Sequence, residues 1–257
     1  MKPSDDTNPD HITLTTINME GKGNSLYLNT VESSSDIIRI QEHWLYEFQK
    51  ESLALALPNM DMCVICSDTF EEISNFNLPR GKGRIAVAWK RELSPSVQEL
   101  STGNNRIIAI EIKLPMNICL ICVYMSTNNS GDSYLEYMEC LDIVNSLLST
   151  YFATHRIIIA GDFNGTLLQP RAYNKHNKLL QAFFQEMKLK HVQSDKPSFF
   201  HHYGMSSSQI DYIIYCAENG FIFDYKIHER CPINTSSHVP VSTKICIKAN
   251  WISNYKG

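Results

Sequence analysis

The chain has 257 residues, 43% of them hydrophobic and 19% charged, which suits one sizeable buried core and a water-soluble globular class. A formal net charge of -4 excludes a global basic field that would draw the whole surface onto nucleic acid, although it leaves room for local phosphate contacts. The longest apolar run, Ile118 to Met125, is strand-sized and too short to cross a bilayer, so no membrane partner is expected.

The polar, acidic stretch Met1 to Asp10 carries two prolines and has neither signal-peptide nor transit-peptide character; it reads as a disordered lead into an intracellular protein. His11 to Asn18 alternates apolar residues with threonines as a strand does, and it ends on a carboxamide. Leu26 to Glu32 predicts a short helix. Ile37 to Ile40 predicts a strand that runs into Gln41-Glu42. Phe48 to Leu57 reads as a helix stopping before Pro58, Met62 to Cys66 as a strand, Asp68 to Asn77 as a polar loop, Gly81-Lys82-Gly83 as a turn and Arg84 to Lys90 as a strand. Arg106 to Lys113 and Asn117 to Met125 read as a hairpin turning near Pro115.

Ser133-Tyr134-Leu135-Glu136 has a capping-box pattern, and Tyr134, Met138, Leu141, Leu148 and Phe152 then recur at helical spacing. Arg156 to Ala160 is an unbroken apolar run, expected of a strand buried on both faces, and Gly161-Asp162-Phe163-Asn164 ends it. Leu179, Leu180, Phe183, Phe184 and Met187 form the apolar face of a second covering helix. Gly204 to Ser208 reads as a small-residue loop. Ser208 to Tyr215 reads as a strand with Asp211 inside it, Phe221 to Ile227 as another, and a last strand ends near Lys248 with His238 at its mouth. Strands outnumber helices without strict alternation, which predicts one domain over residues 11–248, two packed sheets with helices outside, and a short tail over 249–257.

Two CxxC pairs, Cys63 with Cys66 and Cys119 with Cys122, have the spacing of zinc ligands. Both lie in β-branched apolar runs. Positions i and i+3 of a strand point to opposite faces, so neither pair can grip one metal and all four are expected to be reduced core thiols.

Polar groups collect at the ends of the predicted strands: Asn18, Glu42, Tyr124, Asp162, Asn164, Asp211 and His238. Such a set suits metal-assisted phosphodiester cleavage. Glu42 can hold Mg²⁺, a hard cation that prefers oxygen ligands. Asp162 can take a proton from an attacking water or orient it. Asn18, Tyr124 and Asn164 can donate hydrogen bonds to phosphate oxygens. Asp211 can fix the tautomer of His238, whose imidazolium then stabilises a pentavalent phosphate.

In order and spacing these stretches resemble the endonuclease/exonuclease/phosphatase superfamily with its DNase I-like fold. They are Asn18, Gln41-Glu42, Val123-Tyr124, Gly161-Asp162-Phe163-Asn164, Ser208 to Ile213 and Ser236-Ser237-His238-Val239-Pro240. Lys196-Pro197-Ser198-Phe199-Phe200, followed by Ser-Gln-Ile-Asp-Tyr-Ile, is similar to the endonuclease domain of LINE-type non-LTR retrotransposons. The resemblance implies a four-layer α/β sandwich, Mg²⁺ (or Mn²⁺) as cofactor, DNA as partner, a nuclear site of action, and a nick whose 3′-hydroxyl primes reverse transcription. It implies that Ser198, Ser236 and the Phe199 to Ser207 loop contact substrate, and that Asn18, Tyr124, Asp162, Asn164, Asp211 and His238 carry the chemistry, with Glu42 on the metal. Two departures stand out. Ser237 occupies the position where most members have a metal-binding Asp. The reverse transcriptase that follows such domains is absent, as in a fragment, a truncated copy or a domesticated gene; nothing signals oligomerisation, so a monomer is expected.

Overall fold

The computed structural model describes residues 11–69, 84–128, 132–168, 174–201, 206–216 and 221–248. The β-branched apolar runs form strands, since branched side chains fit a pleated, packed surface. In chain order these are β1 (His11–Asn18), helix α1 (Ser25–Glu32), β2 (Ile37–Gln41), α2 (Glu51–Ala56), β3 (Met60–Ile65) and β4 (Ile85–Lys90). Then come β5 (Val97–Leu100), β6 (Ile107–Ile112), β7 (Ile118–Tyr124), α3 (Ser133–Tyr151), β8 (Arg156–Asp162) and α4 (Lys175–Glu186). The last are β9 (Lys190–His191), β10 (Phe199–Phe200), β11 (Ser207–Ser208), β12 (Asp211–Cys216), β13 (Ile222–Ile227) and β14 (Val241–Cys246).

Two six-stranded sheets result, in the orders β13-β14-β1-β2-β4-β3 and β5-β6-β7-β8-β12-β9. Each has one parallel pair at its centre, β1 with β2 and β7 with β8, and antiparallel neighbours around it. A parallel pair needs a crossover, which α1 and α3 supply. The inward faces of both sheets make one core, with Leu14, Ile37 and Val87 meeting Ile110, Leu120, Ile158 and Ile213. Outside, α1 and α2 cover Ile38, Ile40 and Ala88 of the first sheet, while α3 and α4 cover Cys119, Ile121, Ile157 and Ile159 of the second. This is the expected four-layer α/β sandwich of the DNase I-like type. Among the described residues no helix is long and apolar enough to cross a membrane.

The eight cysteines are free. Cys122 faces the other sheet and Cys119 faces the helices, so strand alternation separates that CxxC pair, whereas in the other pair Cys66 lies just past the end of β3 and Cys63 is only half-buried. Other expectations need correcting. The apolar face of α3 is Tyr137, Cys140, Leu141, Val144 and Leu148, while Met138 and Phe152 are exposed. Ser133 is not the cap of that helix: the capping position is Asp132, without a side-chain hydrogen bond, and Glu136 pairs with Arg106 at 3.1 Å. The run Ser208 to Tyr215 is two elements, because β11 pairs with β10 and β12 begins at Asp211. Val97–Leu100 and Lys190–His191 are edge strands that their mixed composition concealed. The turn at Gly81-Lys82-Gly83 lies outside the described residues, as do the expected lead over 1–10, the tail over 249–257, 70–77 of the polar loop and 204–205 of the small-residue loop.

One glycine is obligatory for the two-sheet contact. Gly161 has φ +153°, and a Cβ there would lie 2.0 Å from the Val123 carbonyl oxygen and 2.7 Å from the Arg39 guanidinium carbon. Backbone on one side and a buried cation on the other leave nowhere for a methyl to go. Gly161→Ala is therefore expected to cost about 3 kcal/mol or more of unfolding free energy, measured by urea denaturation.

Candidate active site

The strand registers decide which polar ends meet. In the second sheet Tyr124 is the lateral neighbour of Asp162 across β7 and β8, and Asp211 is its neighbour on the other side, across β8 and β12. The end of β8 is thus flanked by both partners. In the first sheet Asn18 lies beside Gln41 across β1 and β2, so Glu42 follows at the same edge. Stacking the sheets then brings the two edges together.

Asn18 is the tie between them. Fully buried, its amide nitrogen donates to Glu42 Oε1 and to Asp162 Oδ2, both at 2.9 Å. Its oxygen accepts from the Glu20 backbone N–H at 3.0 Å, and its backbone carbonyl accepts from Ser236 Oγ at 2.8 Å. Both carboxylates are therefore oriented by one carboxamide whose own position is fixed from two directions. Glu42 is partly exposed and holds the left-handed conformation, φ +52°, which turns the chain as it leaves β2. Asn164 also has positive φ, +44°. Its N–H donates to Asp162 Oδ1 at 2.9 Å and its side-chain amide to the Met125 carbonyl at 2.9 Å, so it serves first as a brace for Asp162.

Asp211 and His238 form the second cluster. His238 Nδ1 lies 2.8 Å from Asp211 Oδ2, and both residues are buried. The segment holding His238 is clamped by backbone bonds, Val239 N–H to the Ser198 carbonyl at 2.8 Å and Phe200 N–H to that of Ser237 at 2.9 Å. The Phe199 ring packs against the imidazole at 4.8 Å between centroids. Ser198 and Ser236, expected to touch substrate, are buried and face inward, which corrects that expectation. Ser198 Oγ donates to Asp211 Oδ2 at 2.7 Å and accepts from the Ile210 and Asp211 N–H groups. Ser236 Oγ, already bonded to Asn18, accepts from the His238 N–H at 3.0 Å. Both hydroxyls fix the strand ends that carry the acids.

Burial sets the protonation of these groups. Desolvation pushes Asp162 up to about 7, helped by the negative charge of Asp211 and opposed by His238. Burial alone would lower His238, but the charge and hydrogen bond of Asp211 outweigh it and carry the imidazole up to about 9. Burial, then the charge of Glu42, raises the Tyr124 phenol far above its ordinary value, so it acts as a hydrogen-bond donor and stays protonated. The Arg106 guanidinium lies over the Tyr124 ring, 5.4 Å from its centroid.

Ligand atoms of Asp162, Asp211 and His238 lie within 4.8 Å of one another, close enough for a metal. The donor chemistry argues against that use. His238 Nδ1 is already bonded to Asp211 Oδ2, which also accepts from Ser198 Oγ, and both Asp162 oxygens accept hydrogen bonds, so most of these ligand atoms are committed. Glu42, the partly exposed carboxylate of the edge, offers an oxygen ligand of the kind a hard cation prefers. Glu20, which the sequence did not single out, stands beside the His238 segment: its Oε2 accepts from the Ser237 N–H at 2.7 Å, and its charge helps to raise His238. A carboxylate therefore does reach position 237, although residue 237 is serine. The other residue missed is Arg39, buried between the sheets. A charged side chain within an apolar strand was its signal, as it was for Asp211.

A two-sheet sandwich with paired carboxylates and an Asp–His couple at one edge defines the phosphodiester-hydrolase class of DNase I-like proteins. The sequence profile of the Endonuclease/Exonuclease/phosphatase family matches residues 15–238, and the chain belongs to that family. Among solved structures, an AP endonuclease from Leishmania major shares 13% identity at a TM-score of 0.72, covering 96% of this chain and 92% of that one. The endonuclease domain of TRAS1, a telomere-specific non-LTR retrotransposon, shares 16% at 0.64, over 92% and 99%. The 3′ phosphatase NExo from Neisseria, bound to product DNA hairpin, shares 14% at 0.66, over 93% and 100%. At such identities these likenesses concern the fold. No curated protein matches the chain by sequence.

Ser198→Ala takes this acceptor from the part-buried Ile210 N–H and the buried Asp211 N–H and strips one donor from Asp211. The expected loss is about 1–3 kcal/mol in stability by denaturant titration. A fall in turnover should accompany it, as His238 loses its fixed partner.

Proposed function

We propose that this protein is a Mg²⁺-dependent DNA endonuclease of the non-LTR retrotransposon type, nicking one strand to leave a 3′-hydroxyl primer. The observation that carries the reading is the pairing of a carboxylate near neutrality, Asp162, with an imidazolium held by a second carboxylate, His238 with Asp211, at one rim. The sequence of Lys196 to Ile213, similar to that of retrotransposon endonucleases, supports DNA as substrate, as does the architecture shared with the TRAS1 domain.

In this reading Asp162, its two oxygens fixed by Asn18 and Asn164, accepts a proton from the attacking water. The imidazolium of His238 donates a hydrogen bond to the phosphoryl oxygens as negative charge develops, with Asp211 holding Nδ1 so that Nε2 serves the substrate. Tyr124, protonated throughout, donates to the same phosphate. Glu42 would hold Mg²⁺, which supplies charge neutralisation at the phosphoryl group when bound. An all-oxygen donor set suits that ion and its close substitute Mn²⁺.

The deciding experiment is conversion of supercoiled plasmid to open circle, with Mg²⁺, with EDTA, and with a His238→Ala variant. Nicking is expected in the first alone, with the His238 variant down by at least about 100-fold. A folded His238→Ala protein that nicks at the parent rate overturns the assigned role. No nicking by the folded parent at any Mg²⁺ concentration overturns the endonuclease reading, and a panel of abasic-site and 3′-phosphate substrates then follows.

The pH profile is a separate prediction. Asp162 must be ionised, which favours pH above about 7, and His238 must be protonated, which favours pH below about 9. The rate should rise and then fall between those limits. The stability contribution of His238 has its own sign. With its folded value raised above the ordinary 6.5, it is fully present below 6.5 and lost as pH climbs through about 9. Thermal melts of the parent and a His238→Gln variant across that window should converge at the alkaline end.

A further inference from the structure

Arg39 is the largest fully buried side chain among the described residues, placed by β2 in the core between the two sheets. Strand alternation sends Ile38 and Ile40 outward under α1 and α2 and turns Arg39 inward beside Ile37. Its Nη1 approaches Thr16 Oγ1 at 3.4 Å, a weak contact, while Nε and Nη2 have no hydrogen-bond partner among the described residues. A cation so buried with donors unmet is costly unless an anion lies close by.

The guanidinium rests on Gly161, with Cζ and Nη2 both 2.7 Å from where a Cβ would stand. Gly161 directly precedes Asp162, and β12 sets Asp211 beside Asp162. Asp211 Oδ1 is itself buried without a partner. From β7, Cys122 also faces the guanidinium, but burial pushes that thiol up to about 12 and it stays neutral. Burial pulls Arg39 down to about 10, so it remains a cation at neutral pH, and the anions within electrostatic reach are Asp162 and Asp211.

We propose that Arg39 is a positioning residue for the reaction, a counter-cation beneath the site that lets Asp162 and Asp211 be ionised together. The inference deepens the nuclease reading and rests on it. Two carboxylates on adjacent strands repel each other. His238 serves Asp211 from the solvent side, and Arg39 serves both acids from the core side, so that two anions meet two cations. Glu42, at the rim, adds to the negative charge acting on Asp162. The glycine at position 161 follows from the same requirement, because any side chain there would displace the guanidinium.

The test is a double-mutant cycle of Arg39→Met and Asp162→Asn, followed by thermal melting at pH 8. Because Asp162 is held above the ordinary carboxylate range even with Arg39 present, Asp162→Asn is expected to raise the melting temperature at pH 8 in both backgrounds, and to raise it distinctly more in the Arg39→Met background, where the carboxylate has lost its counter-charge. An equal change in both backgrounds overturns the proposal. If Arg39→Met alone fails to fold, recovery of folding in the double variant supports it, and failure of both overturns it. In folded Arg39→Met the acid limb of the nicking profile should also rise, by roughly one to three pH units; a limb at the parent position counts against the proposal. Melting needs no nuclease activity, so the cycle tests the counter-charge even if the endonuclease reading fails.

Discussion

Asp162, Asp211 and His238 are all buried, and they stand within a few ångströms of one another at the edge of a two-sheet core. Ionised groups in such a place must be matched in charge and saturated with hydrogen bonds, or the fold loses the free energy that its apolar layers supply. Much of the local structure answers that demand. Asn18 reaches across from the first sheet to bind two carboxylates, Ser198 and Ser236 spend their hydroxyls on the strand ends, and Arg39 lies underneath. Without these ties the acids would protonate or the strand ends would part.

The topology makes the meeting possible. Each sheet has a parallel pair at its centre, and parallel strands end at the same edge, where Asn18, Tyr124 and Asp162 are the last strand residues and Glu42 follows directly after β2. Ligands and chemistry gather at such carboxyl-terminal edges because the chain is free to turn there while the strands hold it rigid. The antiparallel β12 enters the same edge from the opposite direction, which is why Asp211 is at the start of its strand and Asp162 at the end of its own.

Two departures from the expected pattern share one physical theme. Serine at position 237 removes a carboxylate, yet the Glu20 side chain comes from the loop after β1 and bonds to the backbone of residue 237. The arginine in β2 adds a charge where the strand is otherwise apolar, and a glycine on the facing sheet makes room for it. In each case charge is matched across chain segments far apart in sequence. No local pattern records such a match.

Much of the protein was legible from its residues. Unbroken β-branched runs marked the central strands, polar residues at their ends marked the site, and opposite-facing positions in CxxC ruled out a metal grip. These follow from local geometry, which repeats every two residues in a strand. What the sequence could not give was the direction in which each polar side chain is committed. The family resemblance implied that Ser198 and Ser236 contact substrate, but both are buried and brace the neighbouring strand ends. Helix α3 is rotated from its expected face because the sheet beneath selects which residues it covers. Glu20 and Arg39 acquire meaning only from partners more than a hundred residues away, and only the packing of one sheet on the other decides those partners.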